Sequence, residues 1–375
     1  MKILLTGGGS GGHFYPIIAV AEALNKIARE EKLVDMKLYY MAPQPYDRQL
    51  LYDNGITFVK GTAGKSRQYF SILNFLDYFR TAWGIVRAVL SIYRVYPDVI
   101  FSKGGYVSFP AMVAARLLRI PVIIHESDSA PGRVNVWSGK FANRIAISYP
   151  EAAEFFPTEK IALTGNPIRD ELSHAVREGS HDFLNLDQSI PVVLVLGGSQ
   201  GSQVINETLL DALPQLVTKY QVIHQAGDAN IKIVKETARI VLDRSDFKTR
   251  YRPMDHLDSL ALRMSAGAAD IIITRAGSTL FEIALWGVPA VIIPITNSNA
   301  DHQRKNAYNY ARTGAAVVIE ETNLTPNILV SEIDRLMDDF EARQKMKAAA
   351  LAFAKTDAAK TIAKQVLLVA LEHDK

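Results

Sequence analysis

The sequence has no cysteine among its 375 residues, which excludes disulfide bonds, thiolate zinc sites and a cysteine nucleophile. It also has no apolar run of the roughly 18 residues that a membrane-spanning helix requires. The short apolar run Ile3–Leu5 is soon followed by glycines, too early for the core of a signal peptide. We therefore expect a cytoplasmic protein that does not cross a membrane.

An excess of charge of one sign is also absent. The formal net charge is +3 at pH 7, which is too small to indicate a nucleic-acid-binding protein. Hydrophobic residues make up 48% and charged residues 22% of the sequence, a composition typical of globular proteins. A chain of 375 residues is too long for one ordinary core, so we expect two domains.

Short β-rich segments alternate with helical patterns along the chain, which predicts a parallel α/β fold. The predicted strands are 2–6, 36–41, 98–101, 121–125, 144–148, 160–163, 191–196, 220–225, 269–274, 289–295 and 315–319. Each half opens with a strand and a glycine-rich turn, LLTGGGSGG in the first half and LVLGGSQGS in the second. This recurrence predicts two Rossmann-like domains, with a boundary at the helix- and strand-breaking residues Gly165 to Pro167. The last segment, KTIAKQVLLVALEH, predicts an amphipathic helix that could pack on either domain.

The first turn, GGGSGG, contains five glycines in six residues and is followed by His13. Gly7, Gly9 and Gly12 match the dinucleotide-binding fingerprint, but the next strand ends in YYMAPQP and lacks the acid that would hold a ribose. An NAD-dependent oxidoreductase is therefore a weak alternative. His13 lies in the first turn of the predicted helix, where the helix dipole favours a neutral, proton-accepting imidazole.

Two further turns favour anion binding. GGSQGS contains Ser199 at a helix start, and RAGSTLFE places Glu282 about one helical turn into a helix, where it could bind ribose hydroxyls or only stabilise the helix. Three such turns at strand ends predict a diphosphate ligand.

Seven segments together resemble the MurG family of glycosyltransferases. These enzymes transfer N-acetylglucosamine (GlcNAc) from UDP-GlcNAc to a lipid-linked muramyl-pentapeptide, lipid I, and so form lipid II. The segments are GGSGGHFYP, KGGYVSFP, HESD, GNPIR, GGSQGS, RAGSTLFEI and DHQRKNA.

The resemblance implies a GT-B fold, in which two Rossmann-like domains have parallel sheets facing a cleft. Residues 1–164 would bind the acceptor and face the membrane, residues 165–355 would bind the UDP-sugar, and the helix 356–375 would return to the first domain. Transfer would proceed by a single inverting displacement. No cofactor or metal is implied, and the sequence has no D-x-D motif.

The resemblance also assigns site residues. Those implied to bind the acceptor are Ser10, Gly11, Gly12, Tyr106 and His125. Those implied to bind the donor are Arg169, Ser199, Met254, Ser278, Thr279, Glu282 and Gln303.

Two segments depart from the family pattern. The usual H-E-Q-N reads His125-Glu126-Ser127-Asp128, which replaces an amide by a carboxylate that only accepts hydrogen bonds when ionised. The turn in RAGSTLFE is one residue shorter than usual, which affects the register of Ser278 and Thr279. The acceptor hydroxyl needs a general base. His13 is the first candidate, Asp128 the second and Glu126 the third.

Residues 65–94 are rich in aromatics and arginines. The residues predicted to face a membrane are Phe75, Phe79, Arg80, Trp83 and Arg87. The pattern alone favours a buried helix face. A lipid-linked acceptor instead favours contact with an anionic bilayer surface on the inner face of the cell membrane. A UDP-GlcNAc epimerase of the same architecture and a non-catalytic membrane-docking protein are competing interpretations of the sequence.

Overall fold

The computed structural model describes residues 1–33, 35–64, 72–198 and 201–373, without the side chains of residues 72–79 and 299. Contacts divide the chain into two compact units. The first unit comprises Met1–Asp170 and Asp357–Lys375, and the second comprises Glu171–Thr356. The expected domain boundary after residue 164 thus lies a few residues before the end of the first unit's main segment.

The first unit is built on a seven-stranded parallel sheet with the strand order β3-β2-β1-β4-β5-β6-β7. Its strands are β1 (Lys2–Thr6), β2 (Lys37–Ala42), β3 (Ile56–Lys60), β4 (Val99–Ser102), β5 (Val122–Glu126), β6 (Arg144–Ile147) and β7 (Ile161–Leu163). The helices between them are α1 (Gly11–Glu30), α2 (Arg48–Asp53), α3 (Ile72–Val95), α4 (Phe109–Leu118) and α5 (Arg133–Gly139). The central strands β1, β4 and β5 are buried along almost their whole length, as expected for a parallel sheet whose two faces are covered by helices.

The second unit contains a six-stranded parallel sheet with the strand order β10-β9-β8-β11-β12-β13. Its strands are β8 (Val192–Leu196), β9 (Gln221–Gln225), β10 (Tyr251–Met254), β11 (Ile271–Thr274), β12 (Ala290–Ile292) and β13 (Ala316–Val318). Its helices are α6 (Ser180–Phe183), α7 (Gln203–Lys219), α8 (Ile231–Val241), α9 (Ser259–Ala268), α10 (Thr279–Trp286), α11 (His302–Ala311), α12 (Pro326–Asp338) and α13 (Phe340–Phe353). The predicted parallel α/β architecture is confirmed.

The chain ends in helix α14 (Ala358–His373), which packs against α1 in the first unit. Its apolar stripe includes Ile362, Val366 and Ala370, and all three are buried in the same core cluster as β1. The amphipathic pattern thus indicated a helix, while its packing partner lies more than 300 residues away along the chain and could not be derived from local periodicity.

The order of the strands fixes where ligands can bind in each unit. Strand order reverses between β1 and β4 in the first sheet and between β8 and β11 in the second. In open parallel sheets, ligands bind beyond the carboxyl ends of the strands at such a reversal. All three glycine-rich turns follow strands at these two positions, after β1, β8 and β11.

Candidate functional site

The glycine turn after β1 is tightly packed, which explains why it needs glycine. Gly7, Gly8 and Gly9 have φ values of +139°, +148° and +97°. Residues that carry a Cβ atom rarely adopt such values. A Cβ atom on Gly7 would lie 2.8 Å from the Cβ of Lys103, and one on Gly8 would lie 2.9 Å from the hydroxyl of Tyr40. That hydroxyl donates a 2.7 Å hydrogen bond to the carbonyl of Gly7 and so fixes the turn.

His13 lies in the first turn of α1 with a partly exposed side chain. The hydroxyl of Ser10 is 3.1 Å from His13 Nδ1. Ser10 therefore contacts the imidazole rather than capping the helix, because its side chain makes no capping hydrogen bond. The predicted acceptor residues Gly11 and Gly12 begin the same helix. The turn thus combines a helix N-terminus with a histidine whose ring is held by a hydroxyl, an arrangement suited to proton transfer beside an anion.

The second glycine pair, Gly104-Gly105, follows β4 and lies beside the first turn. A Cβ atom on Gly105 would lie 3.5 Å from His13 Nε2, and one on Gly9 would lie 3.3 Å from the ring of Tyr106. The half-buried Tyr106 thus lies against the first turn, beside the residues that the family resemblance assigned to the acceptor.

His125 and Glu126 end strand β5 and are both buried. His125 Nε2 lies 3.0 Å from the carbonyl of Gly165 and 3.2 Å from the hydroxyl of Ser148. Burial, together with the positive charge of Lys103, holds the pKa of His125 well below its ordinary value despite the Gly165 carbonyl. The ring is therefore neutral at physiological pH, and its Nε2 contacts protein atoms.

Glu126 closes the loop that follows β5. Its carboxylate accepts 3.0 Å hydrogen bonds from the backbone amides of Asp128 and Gly132 and from Asn135 Nδ2. Burial and the neighbouring Asp128 raise the pKa of Glu126, while Lys103 and these hydrogen bonds oppose the increase. Asp128 itself is only half-buried. Of the two carboxylates, Asp128 is the more exposed.

Arg169, which the resemblance assigned to the donor, belongs to the first unit by its contacts. Its guanidinium carbon lies 4.5 Å from the centroid of the Tyr15 ring. Tyr15 is in α1, two residues after His13. The structure thus brings Arg169 next to the helix that follows the first glycine turn.

The turn after β8 is the first element of the candidate site in the second unit. Ser199 lies outside the described residues. Ser202 caps α7, since its hydroxyl accepts a hydrogen bond from the Ile205 amide at 3.4 Å. A Cβ atom on Gly201, which has φ +75°, would lie 2.0 Å from the carbonyl oxygen of Ala226. Glycine is thus required by both backbone conformation and space.

A buried ion pair ties together the loops around this turn. Arg275, directly after β11, donates through Nη2 to the Ser202 hydroxyl at 2.6 Å and to Glu321 at 2.5 Å. The other oxygen of Glu321 accepts from the backbone amide and hydroxyl of Thr296 at 3.0 and 2.9 Å. Burial alone would raise the pKa of Glu321, but the Thr296 amide and Arg275 hold it below its ordinary value. This pair fixes the segment after β12 relative to α7.

Four of the seven predicted donor residues, Ser278, Thr279, Glu282 and Gln303, lie beyond the carboxyl ends of the adjacent strands β11 and β12. Ser278 precedes α10, while Thr279 and Glu282 lie in its first turn and are all half-buried. Gln303 is in the first turn of α11, and its Oε1 accepts a 3.2 Å hydrogen bond from the Ile295 amide. Met254 ends the edge strand β10, and its carbonyl accepts a 2.9 Å hydrogen bond from the Ala226 amide.

Helix α3 has an exposed apolar stripe in its described part. Trp83, Val86, Leu90 and Tyr93 are 57%, 48%, 51% and 66% exposed. Arg87 lies with its guanidinium carbon 5.6 Å from the Trp83 ring centroid, and Arg80 is exposed one turn away. Phe75 and Phe79 lie in the part of α3 whose side chains are outside the description. In the described residues, no helix is long and apolar enough to span a membrane.

The described part of the chain was also searched for metal-binding clusters and for cavities away from the glycine-rich turns. Within the described ranges, no cluster of three or more His, Asp or Glu side chains could hold a metal ion. A cavity of about 880 Å³ lies at the C-terminal end of α1 and contains none of the predicted site residues. Its lining includes cations such as Lys26 and anions such as Asp53.

Some residues of these sites were not singled out from the sequence. Lys103 and Arg275 stand inside quoted motifs, but no sequence pattern shows that their charged groups are buried. Asn135 and Glu321 belong to no motif and reach their sites only through the fold.

Comparison with known proteins identifies the family. Residues 3–147 match the Glycosyltransferase family 28 N-terminal domain, and residues 192–365 match the corresponding C-terminal domain. A protein of Bacillus thuringiensis (strain Al Hakam) is 35% identical over 348 residues, covering 91% of this chain and 93% of that protein. It is named UDP-N-acetylglucosamine--N-acetylmuramyl-(pentapeptide) pyrophosphoryl-undecaprenol N-acetylglucosamine transferase 3. A similarly named protein of Clostridium novyi is 34% identical over 347 residues, covering 92% of each chain.

Solved structures agree with this result. The crystal structure of Acinetobacter baumannii MurG has a TM-score of 0.73 and 25% sequence identity, covering 98% of this chain and 99% of that one. A putative UDP-N-acetylglucosamine 2-epimerase from Listeria monocytogenes has a TM-score of 0.71 at 17% identity, covering 96% of this chain and 94% of that one, which indicates a shared fold alone. With matches in both domains and curated relatives along nearly its whole length, the chain belongs to the MurG family of family 28 glycosyltransferases.

Proposed function

We propose that this protein transfers GlcNAc from UDP-GlcNAc to the 4-hydroxyl of MurNAc in undecaprenyl-diphospho-muramyl-pentapeptide, the step from lipid I to lipid II in peptidoglycan synthesis. The proposal rests above all on relatives of this name that cover more than nine-tenths of the chain. The two glycine-rich sites, one in each compact unit, support it because both substrates carry a diphosphate.

The first unit is proposed to bind the acceptor. Backbone amides of the turn after β1 and at the start of α1 would hold its diphosphate, with Tyr106 beside them. His13 is the proposed general base. Its Nδ1 lies 3.1 Å from the Ser10 hydroxyl, a contact that orients the imidazole in the first turn of α1. Asp128 is the second candidate. Glu126 is the weakest because its carboxylate already accepts three hydrogen bonds from the protein.

The second unit is proposed to bind UDP-GlcNAc. Ser199, Ser278 and Thr279 would contact phosphates at helix starts, Glu282 the ribose, Gln303 the transferred sugar, and Met254 the uracil. The positive ends of α7 and α10 would stabilise the leaving UDP without a metal. We propose that no cofactor is required, and that Arg169, whose guanidinium group lies over the Tyr15 ring, faces the donor phosphates.

The activity is tested by measuring UDP release from UDP-GlcNAc with and without a lipid I analogue. We expect release only with the acceptor. His13→Ala should lower kcat by about 10²–10⁴-fold, the usual contribution of a general base, while UDP-GlcNAc binding measured by calorimetry stays unchanged. Asp128→Asn is the comparison variant. A larger loss in Asp128→Asn than in His13→Ala would reverse the assignment of the base, and UDP-GlcNAc binding without acceptor-supported UDP release would favour an epimerase or an altered acceptor.

We also propose that α3 docks on the inner face of the cell membrane. An exposed stripe of aromatic and apolar side chains flanked by arginines suits the boundary between headgroups and acyl chains. Arg80→Glu/Arg87→Glu should reduce binding to vesicles that contain anionic lipid, at about 1 kcal/mol for each cation removed from the surface. Arg144→Glu, at an exposed position on β6, is the matched control. Undiminished vesicle binding by the double variant would contradict membrane docking through α3.

A further inference from the structure

The ion pair between Arg275 and Glu321 in the second unit has no part in the proposed mechanism so far. Arg275 directly follows β11 and Glu321 follows β13, so both lie at the carboxyl-terminal edge of the same parallel sheet. Arg275 Nη2 lies 2.5 Å from Glu321 Oε1, and the two side chains are only 10% and 16% exposed. Arg275 Nη1 also donates a 2.9 Å hydrogen bond to the Ile293 carbonyl. Because breaking a buried pair is costly, this pair is a fixed point among the loops of the sheet edge.

The arginine end of the pair holds the start of helix α7. Arg275 Nη2 also donates to the Ser202 hydroxyl at 2.6 Å. Ser202 is the last residue of the turn GGSQGS and the N-cap of α7. The pair is therefore attached to the helix start at which the donor phosphates are proposed to bind.

The glutamate end of the pair holds the segment between β12 and α11. Glu321 Oε2 accepts hydrogen bonds from the Thr296 backbone amide and hydroxyl at 3.0 and 2.9 Å. Further along this segment, Ala300 and Asp301 have φ values of +54° and +57°, which residues with a Cβ atom rarely adopt in succession. A backbone of this kind persists only where its surroundings hold it. Glu321 provides one such hold, at Thr296.

Gln303 is attached to the same segment. Its Oε1 accepts a 3.2 Å hydrogen bond from the Ile295 amide, and its own amide donates to the Ser298 hydroxyl at 3.1 Å. The Gln303 side chain and the Glu321 carboxylate therefore bind consecutive backbone amides, those of Ile295 and Thr296. Since a backbone amide engages Oε1, Nε2 is the end of the Gln303 side chain that can donate to a hydroxyl group. The position of this donor depends on where the Thr296 segment is held.

We propose that Glu321 is a positioning residue for sugar recognition, which together with Arg275 holds the Thr296 segment so that Gln303 meets the transferred sugar of the donor. This inference rests on the proposed function for its ligand, a nucleoside diphosphate sugar. Glu321 acts through Gln303 and does not touch the donor. Loss of its charge should therefore weaken recognition of the sugar and spare recognition of the nucleotide.

Calorimetric titration with UDP-GlcNAc and with UDP tests this inference, because UDP contains the nucleotide and the diphosphate but no sugar. Glu321→Gln keeps the size of the side chain but replaces one acceptor oxygen by a donor. It should weaken UDP-GlcNAc binding about tenfold and UDP binding by no more than about threefold. Glu320→Gln is the matched control and should change neither affinity, because the Glu320 carboxylate instead accepts a 2.8 Å hydrogen bond from the Tyr308 hydroxyl.

A double-mutant cycle with Gln303→Ala tests whether Glu321 acts through Gln303. In the Gln303→Ala background, Glu321→Gln should change the UDP-GlcNAc affinity by no more than about threefold. An undiminished tenfold loss in that background would overturn the proposal. Equal losses of UDP and UDP-GlcNAc affinity in Glu321→Gln would overturn it as well, because the pair would then support the whole site rather than its sugar end.

Thr296→Val provides a second test if Glu321→Gln does not fold. Thr296 is exposed, and valine keeps its shape and its backbone amide while removing the 2.9 Å hydrogen bond from its hydroxyl to Glu321. We expect about a fivefold loss of UDP-GlcNAc affinity, as for one hydrogen bond to a charged group, and no loss of UDP affinity. Unchanged UDP-GlcNAc affinity in Thr296→Val would then overturn the proposal.

These titrations need no acceptor, which separates the inference from the proposed function. If the sugar-specific loss and the coupling to Gln303 are observed but no acceptor supports UDP release, the transferase proposal fails and the role of Glu321 stands. If acceptor-dependent release occurs but Glu321→Gln weakens both ligands equally, the reverse holds. A wild-type protein that does not bind UDP-GlcNAc would overturn both.

Discussion

At the scale of single residues, buried polar groups decide which loops are held in place. Arg275 and Glu321 illustrate this in the second unit, because a single ion pair fixes the Ser202 cap and the Thr296 segment together. Such a pair adds little net stability over apolar packing, yet loss of one partner leaves an uncompensated charge. Its value lies in fixing the geometry of the loops around the proposed donor site.

The buried His224 provides a pH-dependent contribution to stability. Its Nε2 lies 3.0 Å from Asn206 Oδ1 and its Nδ1 lies 2.7 Å from the Tyr251 hydroxyl. Since the Asn206 amide donates to the Ala226 carbonyl, Oδ1 is left to accept, which assigns the proton to Nε2 of a neutral ring. Burial lowers the pKa of His224 from an ordinary 6.5 to about 3.

The sign of the pH effect follows from this decrease. Below pH 6.5 the unfolded chain binds a proton that the folded chain does not, so stability is complete above pH 6.5 and is lost as the pH falls towards 3. The free energy of unfolding of the second unit should fall by up to about 1.4 kcal/mol per pH unit from this residue. Hydrogen exchange of second-unit peptides in urea at pH 7.5, 6 and 5 measures it.

The variant His224→Gln should be less stable than wild type at pH 7.5 but should show a flatter pH dependence. His256→Gln, at an exposed position in the same unit, is the control. An unchanged slope in His224→Gln would assign the pH dependence to other groups.

At the scale of elements, the glycines of the turn between β8 and α7 have unequal roles. Gly198 has φ +91°, and a Cβ atom there would have no heavy atom within 4 Å, whereas a Cβ on Gly201 would lie 2.0 Å from the Ala226 carbonyl oxygen. That carbonyl also accepts hydrogen bonds from the amides of Asn206 and Asn230. A side chain at Gly201 must therefore displace a carbonyl with two partners.

We expect Gly198→Ala to cost about 1–2 kcal/mol of stability from backbone strain alone. Gly201→Ala should cost about 2–5 kcal/mol, because overpacking adds to the strain, and it should also weaken UDP-GlcNAc binding more. Chemical denaturation and calorimetry measure the two effects. Similar losses in both variants would show that only the backbone conformation matters at this turn.

Most strands could be predicted from sequence because buried parallel strands are short apolar runs. Every predicted strand overlaps an observed one, and β1 has the predicted bounds. The strands β3 and β10 were missed. ITFVK in β3 mixes polar and apolar residues, and YRPM in β10 contains Pro253, which edge strands tolerate because the missing amide need not pair.

The site was predictable only in part, for a related reason. Glycines and His13 are recognisable because their spacing reports a local turn. The positions of Lys103 beside the β5 loop and of Glu321 beside Arg275 depend on which strands and loops become neighbours. Such long-range packing leaves no periodic trace in the sequence.

At the scale of the whole molecule, the chain leaves the first unit, forms the second and returns as α14. The stability of the first unit therefore depends on the C-terminal residues of the chain, which form α14. Ile362 is 1% exposed within the core cluster that contains α1, whereas Leu368 on the same helix is 51% exposed. Substitutions at these two positions change the same helix, but only the one at Ile362 removes buried packing. Comparing them therefore distinguishes the effect of core packing from the effect of helix formation.

We expect Ile362→Ala to lower the free energy of unfolding of the first unit by about 2–5 kcal/mol through cavity formation, while Leu368→Ala changes it by no more than about 0.5 kcal/mol. UDP-GlcNAc at about 100 times its Kd should instead stabilise the second unit by about 2.7 kcal/mol. Hydrogen exchange resolved by peptide follows each unit separately. If Ile362→Ala destabilised both units equally, the chain would unfold as one cooperative body. Protection of the second unit alone by the nucleotide sugar would place donor binding there, independently of turnover.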